Sequence, residues 1–287
     1  MYEAFYGFGE KPFALTPDPR FIYFSDMHRT AYSLLEYSLL NQAGFVAISG
    51  EIGAGKTTLL GLLMRNLPAN IDVGAITNTH SAFGTLIQLV CEAFNIIGDD
   101  DSASDAVLFR RFNRTLLNRA AQGKRCVLIV DEAQNLSIEQ LEQLRLLSNT
   151  NSVGNMALQV ILVGQPELAA LLRSPRLEQF AQRISAEYHL RGFDMENGIA
   201  YIDHRLSCAG GSPQLFTAGA KQMAAYHGRG TPRMINNLCD LALVCGYAAQ
   251  ARVIDRDILR QVILSRRSNG IMPLRRSQAP LALSLNG

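Results

Sequence analysis

The sequence is short of the features that mark several large protein classes. Only 18% of its 287 residues are charged against 48% hydrophobic, which excludes a disordered or fibrous chain. Its five cysteines, Cys91, Cys126, Cys208, Cys239 and Cys245, are odd in number and contain no C-x-x-C pair. Neither a disulfide framework nor a zinc site is encoded, and a reducing cytoplasm is expected. The formal net charge is only +2, too small for a nucleic-acid coat or an acidic solvating tail. No basic stretch leading into an apolar one opens the chain, so no secretory signal is expected. Apolar runs such as Leu241 to Cys245 fall far short of the roughly 20 residues a membrane-spanning helix needs, so no span is expected. H-x-x-x-H and G-x-S-x-G patterns are missing, and no cysteine is expected to have a histidine partner, which leaves histidine-based metal binding and nucleophilic catalysis without support.

What is present is an alternation of strand and helix periodicities. Residues 1 to 30 are rich in aromatics and proline (Pro12, Phe13, Pro17, Pro19, Phe21, Tyr23, Phe24) and read as an irregular segment packed on a domain, because aromatics seek burial. The pattern then predicts a helix over 28–42, a strand over 45–49, a glycine loop, a helix over 56–67 and a strand over 71–76. Helices near 81–96 and 105–122 follow, separated by the acidic turn Asp99-Asp100-Asp101. Residues 126–130 are a continuous apolar run of the kind that a parallel strand buried on both faces requires, and 158–163 read as another buried strand. A shorter strand is expected at 186–190, after a helical stretch carrying Arg176 and Arg183. Ser137-Ile138-Glu139-Gln140 is a capping-box pattern that opens a helix to about 148. Five strands alternating with helices predict a parallel α/β sheet. Beyond residue 193 only helical patterns remain, over 195–208, 217–227, 232–249 and 255–267. The expected organisation is an arm plus α/β domain over 1–192, a helical domain over 193–267 and a disordered tail over 268–287.

Gly50-Glu51-Ile52-Gly53-Ala54-Gly55-Lys56-Thr57 fits G-x-x-x-x-G-K-[ST] between a predicted strand and a predicted helix, the context this phosphate-binding loop demands. Its glycines allow several backbone N–H groups to face phosphate oxygens, and the helix start adds favourable potential for an anion. Lys56 is expected to reach the β- and γ-phosphates and the Thr57 hydroxyl to ligate Mg²⁺, with Thr58 completing the binding segment. Val127-Leu128-Ile129-Val130 ends in Asp131 and Glu132 at what would be the carboxyl edge of the sheet, where ligands bind. Asp131 is the candidate for holding Mg²⁺ and Glu132 for activating the attacking water. Between Arg252 and Arg276 lie seven arginines against Asp255 and Asp257, a local net of +5. That stretch is a candidate contact for nucleic acid or an anionic membrane, or a solvated basic helix face.

Gly50 to Thr57 together with Asp131-Glu132 resembles the Walker A and Walker B motifs of AAA+ ATPases. The resemblance implies a P-loop α/β domain with a C-terminal all-helical lid, ATP and Mg²⁺ as ligands, and ATP hydrolysis at the junction of the two domains. It implies further roles: Gln165 as a sensor-1 residue where the family usually has Asn, Ser or Thr, and Arg233 of Gly230-Thr231-Pro232-Arg233 as sensor 2. Arg183 would be the arginine finger toward a neighbouring subunit, with Arg176 as its rival. The N-terminal Met1-Tyr2-Glu3-Ala4-Phe5-Tyr6-Gly7 and Lys11 to Tyr23, with His28, are similar to the start of the secretion-pathway A type ATPases. Asp131-Glu132-Ala133-Gln134, Leu162 to Leu168 and Tyr201 to Leu206 are similar to that group as well. In the group, residues before the P-loop help enclose adenine, which implies either that role or a packed arm for residues 17–28. The group implies self-association, cytoplasmic location at the periphery of the inner membrane, and envelope-assembly membrane proteins as partners in secretion, type IV pilus or exopolysaccharide systems. More distant relatives regulate DNA transposition, so an ATP-dependent DNA-binding regulator and a weakly hydrolysing nucleotide-gated scaffold are the competing expectations. Full-length secretion A proteins continue into a transmembrane helix and a peptidoglycan-binding domain. Neither pattern follows before Gly287, which implies either a soluble relative or a piece of a longer protein, and leaves the ATPase expectation standing without the cell-wall role.

Overall fold

The computed structural model describes residues 1–16, 18–77, 79, 84–97, 103–149, 151–152 and 155–269. Pro17, the Asp99-Asp100-Asp101 turn, the start of the helix expected from residue 81, and the tail expected over 268–287 apart from the backbone of 268–269 lie outside the described residues. By packing, the chain divides into two compact units, residues 26–51 with 55–191, and residues 1–25 with 52–54 and 192–287.

The first of these is built on five parallel strands: β1 (Phe45–Gly50), β2 (Ile71–Ile76), β3 (Arg125–Val130), β6 (Leu158–Gly164) and β7 (Ile184–Leu190). Their order across the sheet is β2-β3-β6-β1-β7. Strands β1 and β6 are buried along their whole length, as their largely apolar sequences suit in strands covered on both faces. The register aligns Ile48 with Val163, Val130 with Leu162, and Gly50 with Leu190. The carboxyl ends of β1, β3 and β6 therefore fall at one edge, and the residues that follow them are brought together there. Gly50 is needed where β1 meets β7, because a Cβ at this position would stand 2.5 Å from the Leu190 carbonyl oxygen.

Helices α2 (Asp26–Leu40), α3 (Lys56–Asn66), α4 (Leu86–Ala93), α5 (Asp105–Ala121), α6 (Ile138–Leu147) and α7 (Pro166–Leu172) accompany the strands. On α5, Leu108, Phe112 and Leu116 recur at helical spacing and enter a core with Phe94, Leu128 and Val160. The capping box at Ser137 forms in full: the Ser137 side chain accepts from the Gln140 N–H, and Gln140 reaches back to the Ser137 N–H. Three local features depart from the expected pattern. A two-residue hairpin, β4 (Asn151–Ser152) with β5 (Asn155–Met156), precedes β6. The edge strand β7 begins two residues earlier than expected. The helical stretch expected to carry Arg176 and Arg183 is broken into a 3-10 turn (Pro175–Leu177), a four-residue α8 (Glu178–Ala181) and a turn containing Arg183. Pro175 enters at the first position of a new element, which suits its fixed φ.

The second unit contains α9 (Met195–Cys208), α10 (Ala218–His227), α11 (Pro232–Ala248) and α12 (Arg256–Asn269). It also contains the N-terminal arm, which the residue pattern attaches to the nucleotide-binding domain and treats as irregular. The structure instead groups residues 1–25 with the helices and folds part of them. A short helix α1 (Tyr2–Tyr6) ends at Gly7 in the left-handed region (φ 77), and a 3-10 turn covers Pro19–Phe21.

The reason for this grouping is chemical. Arg205 of α9, only 7% exposed, donates to the carbonyls of Pro12 at 2.5 Å and Ala14 at 2.9 Å, with its guanidinium 4.6 Å from the Phe21 ring centre. Arg252 donates to the Phe5 carbonyl at 2.7 Å and lies 4.0 Å over the Phe5 ring, and the Tyr2 hydroxyl donates to Asp240 of α11. Each charge-assisted bond of this kind contributes roughly 1.5–3 kcal/mol, and a buried arginine is tolerated only when its donors are satisfied in this way.

Candidate functional site

The glycine loop leaves β1 at Gly50 and enters α3 at Lys56. Gly55 is the N-cap residue of α3 with φ 101, and no side chain caps the helix start. The first-turn N–H groups therefore form an anion-attracting end of the kind a phosphate fits. His28 of α2 is buried beneath this turn, and a Cβ on Gly55 would lie 3.0 Å from its Nε2. Lys56 is 8% exposed, and its ammonium donates to the carbonyls of Gly50 at 2.6 Å and Glu51 at 2.9 Å. Burial pulls the Lys56 ammonium below its ordinary value, opposed chiefly by the charges of Glu132 and Asp131. Thr58 is half-buried on the same turn, and Glu51 and Ile52 are exposed.

The carboxylates enter from the end of β3. The Thr57 hydroxyl lies 3.4 Å from Asp131 Oδ2, while Asp131 Oδ1 accepts from the Glu132 N–H at 2.9 Å. Glu132 occupies the left-handed region (φ 52, ψ 36), unusual for a residue with a side chain and costing of order 1–3 kcal/mol. Its backbone is held on the other side by Thr79, whose hydroxyl donates to the Glu132 carbonyl at 3.2 Å. Its carboxylate is gripped by two amides: Gln134 Nε2 donates to Oε2 at 2.6 Å and Gln165 Nε2 to the same oxygen at 3.1 Å. The Gln134 hydrogen bond, joined by that of Gln165 and by the nearby Lys56, holds the Glu132 carboxyl below its usual range, with partial burial opposing.

Lys56, Thr57, Asp131, Glu132 and Gln165 are thus brought together in one unit. Gln134 and Thr79 join them without having been assigned a role from sequence. Gln134 ends the Asp131-Glu132-Ala133-Gln134 stretch, and its two-residue offset from the second carboxylate is the sequence signal for it. Nothing in the pattern pointed to Thr79.

Arg183 and Arg176 are held elsewhere, Arg183 donating to Asn149 Oδ1 and the exposed Arg176 pairing with the exposed Glu139 at 3.2 Å. In the helical unit, Arg233 follows Pro232 at the start of α11, and its N–H lies 3.4 Å from the Gly53 carbonyl. Gly53 has φ 77, and a Cβ there would come within 2.5 Å of Arg233 Cβ. The glycine is therefore required twice, for its backbone angle and for this close approach.

One absence inferred from sequence is corrected. His204 lies one helical turn before Cys208, with its Nε2 3.5 Å from the Cys208 sulfur. Desolvation pushes the Cys208 thiol up, which disfavours its thiolate. Among the described residues, no cluster of three or more His, Cys, Asp or Glu side chains could hold a metal by itself. A hydroxyl and a carboxylate converging beside a phosphate-binding turn are instead the hard-oxygen donors that suit Mg²⁺ shared with phosphates, and Thr57 and Asp131 fit that group. No helix among the described residues is long and apolar enough to cross a membrane.

A glycine turn after β1, paired acids after β3 and a polar side chain after β6 of a five-stranded parallel sheet, with a separate all-helical unit, make up a P-loop α/β fold of the AAA+ kind. Residues 40–172 match the family described as AAA domain. The chain is similar to general secretion pathway protein A of Aeromonas hydrophila, with 40% identity over 259 residues, 90% of this chain and 47% of that protein. It therefore spans about half the length of that relative. Among solved structures, the Cdc6p of Pyrobaculum aerophilum superposes with a TM-score of 0.67 at 15% identity, covering 88% of this chain and 69% of that one. The ORC2 protein of Aeropyrum pernix, in its ADPNP–ADP complexes, superposes with a TM-score of 0.62 at 16% identity, covering 90% and 72%. At these identities the likeness concerns the fold alone.

Proposed function

We propose that this protein binds ATP with Mg²⁺, hydrolyses it, and works as a self-associating nucleotide-driven machine in assembling a bacterial envelope system for secretion, pilus formation or exopolysaccharide export. The observation that carries the proposal is the convergence of Lys56, Thr57, Asp131 and Glu132 at one edge of the sheet.

In this reading Gly50 to Thr58 cradle the phosphates and Lys56 exchanges its loop carbonyls for phosphate oxygens. Thr57 and Asp131 hold Mg²⁺, which when bound neutralises charge on the β- and γ-phosphates. Glu132 accepts a proton from a water whose oxygen bonds to the γ-phosphorus. The bond from that phosphorus to the bridging oxygen breaks, and its electron pair leaves with ADP. Gln165 orients the carboxylate and the water, Arg233 senses the nucleotide, and Arg183 of a neighbouring subunit, with Arg176 as its rival, offsets the developing charge. The similarity to general secretion pathway protein A supports the envelope role and a location on the cytoplasmic side of the inner membrane, with membrane proteins as partners.

A second reading, ATP-dependent DNA binding, draws on the exposed Arg256 and Arg260 of α12; salt-sensitive, ATP-dependent retention of duplex DNA would favour it. The test of the first is steady-state ATP turnover at rising protein concentration, wild type against Glu132→Gln. Cooperative, Glu132-dependent turnover is expected. Flat, negligible turnover would replace it with a nucleotide-gated scaffold.

A further inference from the structure

We infer that Gln134 is a positioning residue of the hydrolytic centre: its side-chain amide ties the Glu132 carboxylate to the Gln165 peptide and fixes that carboxylate through a single oxygen. The inference rests on the hydrolytic reading above and adds a residue that this reading does not need.

Three hydrogen bonds close the arrangement. Gln134 Nε2 donates to Glu132 Oε2 at 2.6 Å, the Gln165 N–H donates to Gln134 Oε1 at 2.9 Å, and Gln165 Nε2 donates to the same Glu132 Oε2 at 3.1 Å. Both ends of the Gln134 amide are therefore committed, which fixes its orientation. Room for it is provided by Gly164, the last residue of β6, where a Cβ would lie 2.6 Å from Gln134 Oε1. The tie spans β3 and β6, so the carboxylate is referenced to two strands rather than to its own turn. It acts on a residue whose left-handed backbone is already fixed by Asp131 and Thr79. With both amides on Oε2, Oε1 is the oxygen left to accept the proton in the hydrolytic reading. A carboxylate so restrained keeps the alignment that proton transfer needs, and misplacement by about 1 Å costs on the order of a hundredfold in rate.

The test compares Gln134→Leu, which keeps the volume and loses both bonds, with Gln134→Glu, which keeps an acceptor for the Gln165 N–H and loses the donor to Glu132. Each is measured alone and in a Glu132→Gln background, with thermal melting to confirm folding. A fall in kcat of about tenfold or more is expected in both, with KM for ATP and ATP affinity within about threefold of wild type, and no further loss when Gln134→Leu is added to Glu132→Gln. The inference is overturned if kcat is unchanged, if affinity falls in step with kcat, or if the losses simply multiply in the double variant. Should Gln134→Leu not fold, Gln134→Glu decides alone, and full kcat there overturns the inference. Undiminished turnover by Glu132→Gln would overturn the hydrolytic reading first, and this inference with it.

Discussion

Replacing Gly53 by alanine separates a phosphate loop that is held in shape from one that merely contains the right letters. Two costs add at this position. The backbone sits at φ 77, and a residue with a Cβ loses roughly 1–2 kcal/mol in that region. The new methyl would also stand 2.5 Å from Arg233 Cβ and 3.3 Å from Thr231 Cγ2, and forced overpacking of this kind costs about 1–3 kcal/mol. Together the penalty is about 2–5 kcal/mol, which, if taken by the binding-competent loop, weakens nucleotide binding by about 30-fold or more. Gly61 supplies the control. It lies inside α3, and a Cβ there meets nothing within 4 Å, so Gly61→Ala should stabilise by up to about 1 kcal/mol through helix propensity alone. Titration of a fluorescent ATP analogue with magnesium, alongside thermal melting, reads both. Gly53→Ala binding within about threefold of wild type, with an unchanged melting temperature, would refute the steric reasoning.

Two further outcomes follow from the packing of the N-terminal arm. Arg205→Met should destabilise the protein by about 3 kcal/mol, because the carbonyls of Pro12 and Ala14 lose a charged donor; chemical denaturation measures this, and hydrogen exchange should rise selectively over residues 8–16. Tyr2 donates to Asp240, and burial, with that hydrogen bond adding, raises its pKa above the ordinary 10.0. A raised value means the stabilisation is fully present below pH 10 and is lost as pH climbs further. Tyr2→Phe should therefore cost about 1 kcal/mol at neutral pH and show a shallower alkaline loss than wild type in melting curves taken from pH 8 to 11.

Much of the sheet and its helices was legible because burial writes itself into composition. The largely apolar sequences of β3 and β6 and the 3.6-residue spacing of Leu108, Phe112 and Leu116 leave few alternatives. The phosphate loop and the two acids were legible because their chemistry is carried by adjacent residues. What stayed hidden depends on pairs distant in sequence. Thr79 and Glu132 are 53 positions apart, and Arg205 and Pro12 are 193 apart, so no local pattern announces either bond. The hairpin at 151–156 has two-residue strands, too short for a period of two to register. The attachment of the arm to the helical unit was similarly invisible, since aromatic composition predicts burial without naming the surface. The His204–Cys208 proximity is the exception: an i, i+4 spacing on a helix was enough to foresee it.

The central claim is that a triphosphate seats on Lys56 with its metal shared between Thr57 and Asp131. Equilibrium binding of labelled ATP to purified wild type, Lys56→Ala and Asp131→Asn proteins, with magnesium and with a chelator, tests it most directly. Tight binding by wild type that needs magnesium, and falls at least tenfold in both variants while their melting temperatures hold, is the expected result. Retention of ATP by a folded Lys56→Ala protein at wild-type affinity, or failure of the folded wild type to bind with magnesium present, would contradict it.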